Sequence, residues 1–497
     1  MSLVESIVVT AAEMREIEEA IFAGGMPVAA LMEKAALLVA ERIIALTSDF
    51  SSLIGVLVGP GHNGGDALVV ARELYLKGYD VAVYCPFDSL KDLTAQHSNY
   101  GIRLGIPFVL KLEDLQGCDF IIDGLFGFGL ERELSGRMGE EIDRINSWRK
   151  IVISIDLPSG IHTDTGKVLG TAIKASHTLC LGLWKRAFFQ DHALEYIGEA
   201  QRIDFGITES QLPANISTEV ITPDIFKNSL PLPRHPLTHK YKQGHVLLVC
   251  GSERYAGGAI LTGLGARGSG VGMLSMAVPL SFKPLLVNHL PEALIIGCEE
   301  TPSGVIASLP PLDGYDIIAC GPGLTTENPA LLQKVLGVEC PLILDADALN
   351  LLAKIGVEVL KSRKGVTVLT PHAGEFKRLF QGIDLHDRIL ATQQAASISG
   401  AIVLLKGART VIAHPDGTIW LIGESTPALA RGGSGDVLTG LMGGLLSQMT
   451  HQPVEKGVAL SAHWHARAAI LAASQSSEMG VDGVTLAQYL TKIPGSF

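Results

Sequence analysis

A chain of 497 residues, 47% hydrophobic and 18% charged with 55 glycines, exceeds what one hydrophobic core organises and has the composition of a soluble globular protein of two domains. The formal net charge of −12 argues against a nucleic-acid partner or an anionic-membrane surface, so a phosphorylated ligand needs local devices such as helix N-termini. Seven scattered cysteines with no CxxC pair argue against a disulfide framework and against zinc.

The chain opens MSLVESIVVTAAEMREIEEAI, without the basic and apolar regions of a signal peptide. No stretch reaches the roughly 18 uninterrupted apolar residues of a membrane span, so a cytoplasmic location without a membrane partner is expected. Short β-branched runs alternating with helical stretches then predict parallel α/β architecture, with strands near 54–58, 81–85, 120–123, 151–156 and 178–181. The first strand runs straight into Gly59-x-Gly61-x-x-Gly64 and an amphipathic helix. That is the setting of a dinucleotide fingerprint, in which glycines allow a tight turn and helix amides face a phosphate. Asp88, after the second strand, stands where a ribose-binding carboxylate would, so a Rossmann dehydrogenase is one reading. A turn that merely packs helix on strand is the plainer one.

Asn63 and Asp66 inside the turn pull away from the dehydrogenase, because an Asp at a phosphate site repels its ligand unless it does chemistry or holds a cation. Asp123 in DGLFGFGLERE and Asp156 in SIDLPSG follow at further strand ends, where ligands of parallel sheets bind. A set of Asn63, Asp123, Asp156 and Ser159 offers hard oxygen donors of low charge, which suit a monovalent or weakly held cation better than zinc. Each strand-end Asp has loop capping as its bland alternative. In this order and spacing, GPGHNGGDALVVAR, DGLFGFGLERELSG and SIDLPSGIHTDTGKVLG resemble the NAD(P)H-hydrate epimerase family across most of 10–210. The resemblance implies that His62, Asn63, Gly64, Gly65 and Asp66, with Gly127, Phe128, Gly129, Leu130, Glu131, Arg132 and Glu133, contact the hydrated cofactor. It also implies that Asp156 lies against the altered ring and that Asn63, Asp123 and Ser159 hold K+. The family usually has Asn at His62, Gly at Ala67 and Thr at Phe128, departures that bear on substrate affinity more than on fold. Inverting C6 of the ring passes through a planar species, for which Asp156 is the expected proton-transfer carboxylate.

Five prolines between Leu212 and Thr238 predict an extended connector, which separates a domain at 1–220 from one at 239–497 by a linker at 221–238. Beyond it, strands are expected near 246–250, 274–278, 317–320, 342–345, 366–370 and 402–406, with a hairpin over 411–421. Gly263-x-Gly265-x-x-Gly268 matches a dinucleotide pattern but lies far past the nearest strand, inside a small-residue helix, and reads as close helix packing. The strongest signal is LARGGSGDVLTGLMGGLLS, a Gly-rich turn opening a helix with Asp436 in its first turn. Bare amides and the helix dipole make an anion hole, and Asp436 beside it is placed to deprotonate a hydroxyl meeting a phosphoryl group. The alternative is a helix-capping Asp beside a packing turn. LLKGART adds a cation and bare amides at a strand end, while DADALN and TPHAGEF add polar groups that line the pocket or order magnesium-bound water.

YKQGHVLLVCGSERYAGGA, CGPGL, DADALN, TPHAGEF, LLKGART and GGSGDVLTG, in this order, resemble the ribokinase-like superfamily and within it the ADP- or ATP-dependent NAD(P)H-hydrate dehydratases. The fold implied is two α/β domains, an N-terminal Rossmann-like αβα sandwich and a C-terminal ribokinase-like αβα domain. The resemblance implies that Ala259, Gly323, His372 and Asp436 contact the S hydrate. Lys406, Gly407, Ala408, Arg409, Thr410 and Gly435 would contact the nucleotide, taken as ADP or ATP with Mg2+. The expected activity is epimerisation of NADH and NADPH hydrates with nucleotide-dependent dehydration of the S form. A small-molecule kinase sharing the GGSGD turn is the alternative, as is a nucleotide-binding scaffold. A symmetric homo-oligomer is expected for an α/β enzyme of this size.

Overall fold

The computed structural model describes residues 3–47 and 53–495. The chain divides into two compact units, the first ending at Ile216 and the second beginning at Ser217.

In the first unit seven parallel strands run, across the sheet, Phe108–Val109, Asp80–Tyr84, Leu53–Val58, Phe120–Gly124, Ile151–Ile155, His177–Leu181 and Glu199–Ile203. A parallel sheet needs both faces covered, and Leu53–Val58 obeys: Val56 and Val58 pack under helices Val28–Leu46 and His62–Leu76, while Leu57 packs with Ile142 and Ile145 of Gly136–Ser147. From Leu53–Val58 the chain first builds outward to one side and then returns to the other. That reversal opens a crevice beyond the carboxyl ends of Leu53–Val58 and Phe120–Gly124. Glycines hold its floor together: a Cβ on Gly59 would stand 1.7 Å from the Leu125 carbonyl oxygen, and one on Gly64 1.9 Å from that of Gly59.

A small second sheet pairs Val8–Val9 with Trp184–Lys185. It docks the helix Ala11–Ala23, which Thr10 and Glu13 start with a capping box. Met14, Ile17 and Ile21 of that helix pack against Leu183, Phe205 and Ile207.

The second unit carries a ten-stranded sheet, ordered Thr218–Val220, Ile419–Leu421, Val411–Ala413, Ile402–Leu405, Thr367–Leu369, Leu342–Leu344, Ile317–Cys320, His245–Val249, Met273–Pro279 and Leu294–Cys298. Only the pairings of Val411–Ala413 are antiparallel, the expected hairpin. Its own reversal lies between His245–Val249 and Ile317–Cys320, where the Gly251 amide bonds the Pro322 carbonyl at 2.8 Å. Helices Ala256–Gly268 and Ser434–Leu446 meet almost backbone to backbone. A Cβ on Gly265 would come within 2.1 Å of the Val437 carbonyl oxygen and one on Gly440 within 1.8 Å of that of Thr262. The GxGxxG match at 263–268 is therefore a packing stripe.

The proline-rich stretch departs from the expected connector. Thr218–Val220 pairs with Ile419–Leu421, and Pro223 opens the helix Pro223–Ser229, where a missing N–H costs nothing. Phe226 is fully buried, 5.1 Å from the His463 ring and 6.0 Å from Trp464. Thus 217–229 is built into the second unit. The strands Phe108–Val109, Glu199–Ile203, Thr218–Val220 and Leu294–Cys298 carry no expectation from sequence, being very short, polar or beside proline. Among the described residues no helix is long and apolar enough to cross a membrane.

Candidate active sites

The crevice of the first unit is a cavity of about 740 Å³, in the size range of small-molecule pockets. Of the residues expected here, His62, Asn63, Asp66, Gly127, Phe128, Gly129, Leu130, Glu131, Arg132 and Asp156 line it. Gly64 is buried against the Gly59 backbone and Gly65 against the neighbouring helix, its Cβ position 2.7 Å from the Met32 methyl, and Glu133 is exposed outside the lining. Asp88, the ribose candidate of the dehydrogenase reading, is exposed and not in the wall.

Asp156 follows strand Ile151–Ile155 with φ +69°, a left-handed conformation costing roughly 1–3 kcal/mol for a side-chain-bearing residue. Three contacts hold it there. Lys185 Nζ donates to Oδ1 at 2.6 Å, the Leu181 amide approaches Oδ1 at 3.4 Å, and the Phe128 amide donates to Oδ2 at 2.9 Å. Lys185 also donates to the Leu181 carbonyl and sits 5.7 Å from the Phe128 ring centre. Burial works to discharge Lys185, but Asp156 and Cys180 outweigh it and its pKa is raised. Removing one partner of such a dry pair costs ~3–5 kcal/mol, because a lone buried charge remains. Asp66 has its pKa raised well above the carboxylate range by burial, then by Asp156 and Glu18. Glu18 shares the wall, its pKa raised to about 7 by burial first, with Lys185 opposing and Asp156 assisting.

Asp123 lies beneath the cavity wall, fully buried. Its oxygens accept from Ser159 Oγ at 2.6 Å, Ser154 Oγ at 2.8 Å, the Ser159 amide at 2.9 Å and the Leu125 amide at 3.2 Å. Burial raises its pKa and those four donors resist, so a cation beside it would help keep it ionised. Asn63 has a buried Nδ2 with no partner, and its amide lies 3.2 Å from the Cβ position of Gly127. That N–H group is a donor without an acceptor among the described residues.

In the second unit the strands expected at 342–345, 366–370 and 402–406 end one residue early, and the difference builds the site. Asp345, Thr370 and Lys406 stand just past Leu342–Leu344, Thr367–Leu369 and Ile402–Leu405. Asp345 Oδ1 accepts from Lys406 Nζ and Thr370 Oγ1, both at 2.8 Å, and Oδ2 from Thr439 Oγ1 at 2.7 Å. Burial pushes the Asp345 pKa up, but Lys406 and the hydroxyls bring it below the ordinary value. Lys406 is thereby aimed at the turn before Ser434–Leu446: a Cβ on Gly435 would lie 3.5 Å from its Nζ. Asp436 stands in the first turn of that helix with its pKa raised to about 7 by burial, then by Asp345, against Lys406. A Cβ on Gly258 would lie 3.4 Å from Asp436 Oδ2 and 3.9 Å from the Gly323 amide nitrogen, so the three converge.

Arg388 holds the loop after Ile402–Leu405 by donating to the carbonyls of Leu405, Lys406 and Arg409. Gly407 and Ala408 are exposed on that loop, and Arg409 and Thr410 are half-buried. His372 is exposed and caps Ala373–Leu379, its Nδ1 accepting from the Gly374 amide at 2.9 Å. Ala259 is fully buried, so the structure does not bring it to the surface of the crevice.

Glu18, Lys185 and Arg388 escaped the sequence reading. Each sits alone among ordinary helical or strand residues, and no spacing announces that distant chain folds beside it. Among the described residues no group of three or more His, Cys, Asp or Glu could hold a metal.

The family described as YjeF-related protein N-terminus matches residues 28–187, and that described as NAD(P)H-hydrate dehydratase matches 246–492. The chain is 55% identical to the bifunctional NAD(P)H-hydrate repair enzyme Nnr of Synechocystis, covering 97% of this chain and 94% of that one. It is 50% identical to the enzyme of the same name from Thermosynechococcus vestitus, with 95% and 94% covered. Among solved structures, an ADP/ATP-dependent NAD(P)H-hydrate dehydratase from Bacillus subtilis aligns at 33% identity and TM-score 0.49, covering 55% of this chain and 96% of that one.

Proposed function

The chain belongs to the family of bifunctional NAD(P)H-hydrate repair enzymes, and from that premise we propose how its two crevices share the repair. Membership removes the dehydrogenase, vitamin-kinase and scaffold readings. The first crevice interconverts the R and S hydrates of NADH and NADPH, and the second dehydrates the S form at the expense of ADP or ATP.

In the first crevice the Asp156 carboxylate, fixed by Lys185, faces a ring that becomes cationic as C6 turns planar. Asn63, Asp123 and Ser159 would hold K+ through their oxygens, supported by the oxygen-only donor set. When bound, such an ion supplies fixed positive charge beneath the wall and offsets the burial of Asp123.

In the second crevice the amides of Gly432 to Gly435 and the helix dipole face the nucleotide phosphates, with Lys406 beside them. Asp436 takes the proton of the C6 hydroxyl as its oxygen attacks the terminal phosphorus and the bond to the leaving nucleotide breaks. Phosphate then departs with the C6–O electrons, and loss of a C5 proton restores the ring double bond. Mg2+ would come with the phosphates, which it neutralises, since among the described residues no group of three or more His, Cys, Asp or Glu forms a cage.

The observation that carries this reading is Asp436, a carboxyl poised near neutrality beside a cation and a helix N-terminus. The test is to incubate the protein with mixed NADH hydrates and ADP or ATP. Full recovery of dihydronicotinamide absorbance is expected with nucleotide and none without it. Recovery stopping at the S fraction would remove the epimerase half.

A further inference from the structure

The first crevice holds two kinds of carboxyl group. Asp156 is tied: it pairs with Lys185 at 2.6 Å, with side chains only 4% and 1% exposed, and accepts the Phe128 amide on its other oxygen. Both of its oxygens are thus already engaged by donors. Glu18 is untied. It lines the same cavity from Ala11–Ala23, whose Met14, Ile17 and Ile21 take up the buried side, and it makes no hydrogen bond or ion pair with any described residue.

Resting on the reading of this crevice as the epimerase site, we propose that Glu18 is the acid that protonates the departing ring hydroxyl, while Asp156 stays paired with Lys185. The Glu18 proton passes to the C6 hydroxyl, the C6–O bond breaks to release water, and the N1 lone pair forms N1=C6. Water then adds to the opposite face of C6 and the N1=C6 electrons return to N1. The proton shed by that water returns to Glu18 through solvent. Nothing is gained or lost, as an isomerisation requires.

The surroundings agree with this role. Burial is the main cause that lifts Glu18 to about 7, Asp156 adds to it, and Lys185 and Arg15 oppose. Asp66 faces it from His62–Leu76, also shifted toward its neutral form. His62, Lys91, Glu131 and Arg132 complete the charged wall. An acid must hold its proton to act, so epimerisation falls as pH rises through about 7.

The test uses the full chain, NADH hydrate enriched in the R form, no nucleotide, and separation of R from S with time. Glu18→Gln is expected to lower kcat about 100-fold with KM changed less than about 3-fold, and to lose the alkaline limb. Glu18→Asp should be slower than wild type but keep that limb. Calorimetric hydrate binding by Glu18→Gln checks that the site is folded. If that variant binds poorly, the wild-type pH profile together with Glu18→Asp decides. Epimerisation by Glu18→Gln within about 3-fold of wild type, or a wild-type rate that does not fall through neutrality, overturns the role of Glu18. A wild-type protein that dehydrates the S form but never converts R would instead overturn the epimerase reading itself.

Discussion

As the proposed base, Asp436 would tie dehydration to pH. A base must be ionised, and with its pKa lifted to about 7 by burial and Asp345 it is mostly protonated in mild acid. Dehydration should therefore rise with pH through neutrality and flatten above it. Stability moves the other way: the folded value exceeds the ordinary 3.8, so the native state holds this proton more tightly, and that contribution is lost as pH climbs from about 4 to about 7. Asp436→Asn should remove the rate limb and lower dehydration roughly 10²–10⁴-fold while nucleotide still binds. Near wild-type turnover would reduce Asp436 to a helix cap. At Asn63, Asp123 and Ser159 the expectation is ionic: R-to-S conversion should be faster in K+ than in a bulky organic cation, and equal rates would remove the ion.

Glycines of the helix Ser434–Leu446 divide between the proposed nucleotide contact and packing along a single element. A Cβ at Gly435 meets only the flexible end of Lys406, at 3.5 Å. Gly435→Val should therefore fold normally but weaken nucleotide binding, because the branched side chain shields the turn amides. A Cβ at Gly440 meets the Thr262 carbonyl oxygen at 1.8 Å, so the two helices would have to separate. Gly440→Ala should destabilise the unit by ~1–3 kcal/mol, the usual range for overpacking. Thermal denaturation of both variants, with calorimetry for the nucleotide, separates the roles. Equal loss of stability would mean that Gly435 also serves packing.

For the whole molecule the division at Ile216 matters more than the prolines after it. Residues 1–216 should epimerise hydrate, and residues 217–497 should dehydrate only the S form, each monitored as a purified fragment. A fragment beginning at 235 should be less stable, because it lacks the strand Thr218–Val220 and the helix carrying fully buried Phe226. If folded fragments show neither activity, neither unit carries a complete site.

Both α/β units, most of their strands and the glycine turns at 59–64 and 432–435 were legible in the sequence. Such features are local: an apolar run, a glycine where backbones approach, and a carboxylate in a first turn are set by residues adjacent in the chain. The Asp123–Ser159 bonds and the approach of Lys406 to Gly435 were anticipated only as residues at strand ends. Their closeness depends on which strands become neighbours. Pro223 misled because a proline marks a helix start as readily as a linker, and only the partner surface of His463 and Trp464 distinguishes the two. Glu18 and Lys185 were invisible for the same reason. Their side chains are ordinary in sequence, and it is burial beside Asp156, supplied by chain well over a hundred positions from Glu18 and about thirty from Lys185, that gives each its charge state. The sequence by itself determined most of the strands, to within a residue at their ends, and the glycine turns, since those are properties of contiguous chain. The tertiary structure alone decided which carboxyls are pushed toward their neutral form, because desolvation and Coulomb energy depend on distance in space.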